Sequence, residues 1–115
     1  MTPHDREILS SIAESARKVG AYVARIGPDW AADDMAVDAI AKRLEQIGEL
    51  AKRLPADLLE WMPDVDWRGI RGIREILAHD YEDVDVGILD DVLESELPGL
   101  LRVVESALQA PDSKG

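Results

Sequence analysis

Apolar side chains recur at alternating gaps of three and four residues along two long stretches of the chain, a periodicity that gathers them on one face only in an α-helix. Leu9, Ile12, Ala16, Val19, Val23 and Ile26 form the first stripe, and Val37, Ile40, Leu44, Ile47, Ala51 and Leu54 form the second with the same order of gaps. Thr2, Pro3 and Asp5 supply an N-cap, a proline at the first helical position and an acid at the third, so the first helix is expected to start there. Gly27, Pro28 and Asp29 stop it, and the second helix is expected from about residue 33 to 54. Gly48 lies beside the second stripe. A glycine inside a helix costs roughly 1 kcal/mol relative to alanine, which predicts that another backbone comes close at that point.

Beyond these two helices, residues 55–61 have the composition of a short helix and residues 62–66 read as a connector. Trp67, Ile70, Ile73 and Leu77 predict a helix from 67 to about 81, weakened early by Gly69 and Gly72. A last helix is expected from Asp85, a plausible N-cap, to about Leu108, with Pro98 kinking or interrupting it because proline lacks the amide hydrogen that the preceding turn needs. No strand-like alternation of useful length and no internal repeat is present. The expected fold class is all-α, a four-to-five-helix up-and-down bundle. Helices of about 22 residues span roughly 33 Å each, and short connections make neighbours antiparallel. Residues 1–110 form one expected domain, and 111–115 a polar tail.

Charge and composition narrow the function classes. With 115 residues, no cysteine and two histidines, the chain has no thiolate metal site, and a structural zinc site is not expected. No apolar run approaches the ~20 residues that span a bilayer, and the first residues lack the pattern of a secretory signal, so the expected setting is the cytoplasm with no membrane partner. A net charge of −11 argues against a general nucleic-acid coat, which needs surplus cations to displace counterions from phosphates. The charge is uneven, however. Asp80, Glu82, Asp83, Asp85, Asp90, Asp91, Glu94 and Glu96 fall in a stretch without Lys or Arg, whereas Arg68, Arg71 and Arg74 lie within seven residues without an acid.

That basic island is followed by His79 and Tyr81, and the set matches the needs of metal-free phosphodiester cleavage. A ribose 2′-hydroxyl must lose a proton, the pentacoordinate phosphorus gathers negative charge, and the leaving 5′-oxygen takes up a proton. Histidine can exchange those protons near neutral pH, and the arginine fork fits phosphate oxygens. On a regular helix Arg74 and His79 would stand roughly 140° apart. They can meet if the helix ends near Ala78, if the arginine wraps round, or if a second subunit completes the site across a two-fold axis. A plainer reading stays open at this level: His79 pairs with Glu75 one turn earlier, and the arginines are solvated or salt-bridged. His4 reads as terminal surface, and Trp30, Trp61 and Trp67 as packing or interface anchors.

The arrangement Arg74, His79, Tyr81 resembles the R-x-x-x-x-H-x-Y motif of the HepT family within the HEPN superfamily. The resemblance extends along residues 5–108. Residues 46–54, Gln-Ile-Gly-Glu-Leu-Ala-Lys-Arg-Leu, are similar to the family's I-G-E-x-A-K-R-L stretch. Residues 67–70 are similar to its W-R-x-I, and Asp83-Val84-Asp85 and Glu96-Leu97-Pro98 follow in the family's order. The resemblance implies a HEPN-like bundle that forms a homodimer, with a metal-independent endoribonuclease site at the shared cleft. It implies that Arg74 and His79 are catalytic on an RNA substrate, with Arg68 and Arg71 available to bind phosphate. It also implies a toxin–antitoxin pair. The partner would be an MntA-type minimal nucleotidyltransferase that adenylylates Tyr81 and uses ATP and magnesium for that reaction, leaving this chain without a cofactor of its own. Glu75 stands where many members have asparagine, placing an acid beside the phosphate site. The alternative reading is a non-catalytic HEPN module that scaffolds or assists the nucleotidyltransferase.

Overall fold

The computed structural model describes residues 1–80 and 83–110. Helix α1 spans Pro3–Ile26 and opens with the expected reciprocal cap: the Asp5 amide donates to Thr2 Oγ1 at 3.0 Å and the Thr2 amide to Asp5 Oδ2 at 3.4 Å. Gly27 ends it at φ 94°, a conformation that residues with a Cβ seldom adopt. A single 3-10 turn, Trp30–Ala32, buries Trp30 and leads to Asp33, whose carboxylate caps helix α2 (Asp34–Ala51) by accepting from the Ala36 amide at 3.0 Å. Both stripes face inward as expected, with Leu9, Ile12, Val19, Ile40, Leu44 and Ile47 fully buried. Only the end of the first stripe departs, where Ile26 is exposed.

After α2 come α3 (Ala56–Glu60), α4 (Trp67–Arg71) and α5 (Ile73–Leu77). Trp61 is 77% exposed, while Trp67 is buried and its indole Nε1 donates to the Met62 carbonyl at 3.0 Å, tying the connector to the core. Asp66 caps α4 by accepting the Gly69 amide at 3.1 Å.

The expected continuous helix from 67 to about 81 is not formed. It breaks at Gly72, restarts at Ile73 and ends at Leu77. The Leu77 carbonyl accepts the Asp85 amide, eight residues on, at 3.4 Å. Ala78–Asp80 (β1) pairs antiparallel with Asp83–Val84 (β2), with an irregular register between Ala78↔Val84 and Asp80↔Asp83. This short ladder was not expected from the sequence, because backbone pairing over so few residues leaves no alternating pattern of side chains.

Helix α6 (Val86–Asp91) begins at the expected cap, with Asp85 Oδ1 accepting the Ile88 amide at 3.1 Å. A π-helical turn, Val92–Glu96, then joins it to α7 (Leu97–Gln109). The interruption anticipated at Pro98 takes this form: the Leu97 amide reaches back to the Val92 carbonyl, and Pro98 falls in the first turn of α7, where a missing amide hydrogen costs little. Helix α1 packs on α2 and α7, and α2 carries α4 and α5 on another side. The result is an all-α bundle with an aliphatic core, in agreement with the expected class. None of the described helices is long and apolar enough to cross a membrane.

Candidate functional site

The break at Gly72 and the stop at Leu77 determine where the candidate residues lie. Arg68 and Arg71 are exposed on α4, and Arg74 is exposed on α5. His79 lies in β1, not on the helix, so neither the 140° offset from Arg74 nor a helical pairing with Glu75 applies to it. Tyr81, the candidate modification site, lies outside the described residues.

Of the three arginines in the basic island, only Arg74 lines the groove that runs beside α2. This groove has a volume of about 620 Å³ and lies between α1, represented by Ser11, Glu14 and Ser15, and the face of α2 that carries Lys42, Gln46 and Glu49, with Arg53 in the turn that follows α2. Two buried residues, one on α2 and one on α5, bring Arg74 there. Gly48 is buried against α4 and α5, where a side chain would collide with Ile73 and the Ile70 carbonyl, so the helix bearing Arg74 seats directly on α2. Ile73, next to Arg74, is itself buried and fixes the start of α5. A second groove, of about 840 Å³, lies where the start of α1, residues 55–64 and α7 meet, and is lined by none of the three arginines.

Glu49 is the carboxylate most affected by this arrangement. It accepts a hydrogen bond from Lys52 Nζ at 3.0 Å, and this bond and the lysine's charge hold its carboxyl below the usual carboxylate range. Burial opposes the shift, and the charge of Arg74 adds a smaller effect in the lowering direction. Glu49 is therefore an anion within electrostatic reach of the candidate phosphate-binding arginine. Reading the sequence for chemistry did not single out Glu49, Lys42 or Arg53, although Lys42, Gln46, Glu49 and Arg53 recur at gaps of four, three and four beside the apolar stripe. That signal acquires meaning only when Arg74 arrives from a different helix.

Among the described residues no group of three or more His, Asp or Glu side chains is arranged to hold a metal ion.

Residues 12–107 match the profile of the family described as ribonuclease HepT-like. The chain belongs to this family. Its HepT-like relatives include a protein of Thermococcus cleftensis named a probable ribonuclease HepT, 30% identical over 96 residues that cover 83% of this chain and 87% of the relative. A protein of Caldanaerobacter subterraneus subsp. tengcongensis, provisionally named an RNase, is 35% identical over 81 residues, covering 70% of this chain and 72% of the relative. Another from Methanocaldococcus jannaschii, also provisionally named an RNase, is 30% identical over 101 residues, covering 87% and 93%. No solved structure matches at comparable stringency. The HepT-like match takes in Gly48, Arg74 and His79 together, so the helix break, the short ladder and all of the groove lining except Ser11 lie within the family segment.

Proposed function

We infer that this HepT-like chain is the toxin of a toxin–antitoxin pair, a metal-independent endoribonuclease acting in the cytoplasm as a homodimer. The observation that carries the reading is the early end of α5. It leaves Arg74 exposed in a short helix and places His79 on an extended segment directly after it, inside the stretch that matches the family. An arginine on a helix seated against the core offers a fixed fork of donors. A histidine just beyond it has left the helical register that would hold it away.

In this reading His79 takes the proton from a ribose 2′-hydroxyl, and the oxygen attacks the adjacent phosphorus. Arg74 stabilises the charge gathered on the phosphoryl oxygens. The bond from phosphorus to the 5′-oxygen breaks and that oxygen takes up a proton, giving a 2′,3′-cyclic phosphate and a free 5′-hydroxyl. Two copies related by a two-fold axis would complete the site with Arg74 and His79 from different subunits, and would bring Arg68 and Arg71 of both copies to bear on the strand.

Control falls to an MntA-type nucleotidyltransferase, which transfers AMP from ATP to the Tyr81 phenol and releases pyrophosphate, with magnesium serving that reaction. The added phosphate brings negative charge and bulk to the motif and excludes RNA. Expression of the chain alone arrests growth, and co-expression of the nucleotidyltransferase relieves it. Tyr81→Phe keeps the toxicity and escapes the relief; relief of the Tyr81→Phe variant would overturn this assignment. A chain that binds the nucleotidyltransferase yet neither arrests growth nor cuts RNA would be the non-catalytic module instead.

A further inference from the structure

The groove beside α2 opposes the charge of the molecule that carries it. The chain bears 24 acidic residues against 13 Lys and Arg. Yet Lys42, Arg43, Arg53 and Arg74 all line this one groove. Two of its three carboxylates are already matched by cations outside the lining: Glu14 by Lys18 at 3.8 Å and Glu49 by Lys52 at 3.0 Å. The four lining cations have no ion-pair partner among the described residues, and Arg43 donates to the neutral amide of Gln46 at 3.3 Å. With Glu14 and Glu49 matched by lysines outside the lining, Glu45 is the one lining acid set against the four cations, which gives a positive track within an acidic protein.

The track also has direction. Lys42 and Glu49 are seven residues apart on α2, a rise of about 10 Å with an angular offset of only about 20°, and Arg53 follows in the turn just beyond the helix end. The groove thus runs along one side of the helix, with Arg74 contributed to it from α5. That length accommodates more than one phosphate.

We propose that this groove carries the RNA strand flanking the scissile phosphate, with Lys42, Arg43 and Arg53 as contacts to phosphates that are not cut. The proposal rests on the ribonuclease reading for the identity of the strand. It assigns binding, not chemistry, to these three residues. Cations that hold non-reacting phosphates raise affinity for ground state and transition state alike, so their loss acts on KM and leaves kcat in place.

The test is fluorescence anisotropy on the full chain with a labelled single-stranded oligonucleotide of 2′-O-methyl riboses, which keeps its phosphates and cannot be cut by 2′-hydroxyl attack. Binding is followed across a salt series for wild type, the double variant Lys42→Ala/Arg53→Ala, and Arg25→Ala, which removes an exposed cation outside the groove. Circular dichroism confirms that all three are folded. The double variant binds at least about tenfold more weakly. Its slope of log affinity against log salt is reduced by about 1.4, at about 0.7 per phosphate contact on a single strand. Arg25→Ala matches wild type. On unmodified RNA the double variant raises KM and keeps kcat. Wild-type affinity and slope in the double variant, with RNA cleavage intact, would overturn the groove and leave the ribonuclease reading standing. Loss of binding in the double variant, with no cleavage by wild type, would uphold the groove as an RNA track and overturn the cleavage.

Discussion

Gly48 on α2 approaches α5 so closely that a Cβ added to it would stand 2.7 Å from Ile73 Cγ2 and 2.9 Å from the Ile70 carbonyl oxygen. The side-chain methyl can shift, but the backbone carbonyl of α4 cannot move without displacing the helix. Gly48→Ala is therefore expected to destabilise the fold by about 1–3 kcal/mol, the usual range for overpacking a close contact, despite alanine's better helix propensity. Because Ile73 adjoins Arg74, the same substitution shifts the arginine and lowers RNA cleavage. Urea denaturation measures the first effect and a cleavage assay on the folded fraction the second. A more stable variant would show that the helices do not touch there.

Trp67 anchors the start of α4 by donating its indole hydrogen to the Met62 carbonyl at 3.0 Å, in a buried position. Trp67→Phe keeps most of the apolar bulk and removes the donor. The Met62 carbonyl keeps only the longer bond from the Val65 amide at 3.4 Å; losing one neutral hydrogen bond costs about 0.5–1.5 kcal/mol, so the midpoint of chemical denaturation falls accordingly while the helical circular dichroism signal at low denaturant is retained. A midpoint equal to wild type would mean that the indole bond adds nothing to the anchoring of the connector.

Glu49 reports on whether Arg74 lies where the groove places it. Its carboxyl is held below the ordinary range chiefly by the hydrogen bond and charge of Lys52, with Arg74 a smaller influence in the same direction. A lowered folded-state value means that the stability from this pairing is present above the ordinary glutamate range and is lost as pH falls through the lowered value. In an NMR titration of the Glu49 side-chain carboxyl carbon, Lys52→Met moves the midpoint upward, and Arg74→Met moves it upward by less. A midpoint unmoved by Arg74→Met would place the arginine out of reach.

The proposed sharing of the site between two copies predicts a complementation. Arg74→Ala and His79→Ala proteins are each inactive alone. When they are mixed and allowed to exchange subunits, half of the dimers are mixed, and each of these holds one site with both residues intact. Activity then returns to about a quarter of the wild-type level. No recovery, with subunit exchange verified by mass spectrometry, would mean that Arg74 and His79 act within one subunit.

The parts of the fold legible in the sequence are those set by neighbours in the chain. Thr2 with Asp5, Asp33 with Ala36, and Asp85 with Ile88 are caps between residues three apart, and the two apolar stripes need only the helical repeat. Pro98 announced its interruption because proline's missing donor is a local fact. The end of α5 was not legible, since it depends on the Leu77 carbonyl meeting an amide eight residues on, after a chain reversal with no apolar alternation to mark it. At the site, Arg74, His79 and Tyr81 were visible as residue types in one segment. The groove was not, because Lys42, Gln46, Glu49 and Arg53 look like an ordinary solvated face until Gly48 lets α5 lie against their helix.

Cleavage of single-stranded RNA by purified wild-type, Arg74→Ala and His79→Ala proteins in the presence of EDTA tests the central claim most directly. Wild type cuts, leaving 2′,3′-cyclic phosphate ends, and each variant keeps its helical circular dichroism signal. The His79→Ala rate falls by roughly 10²–10⁴, the range for losing a positioned acid–base group. Cleavage by folded His79→Ala protein at the wild-type rate would contradict the account.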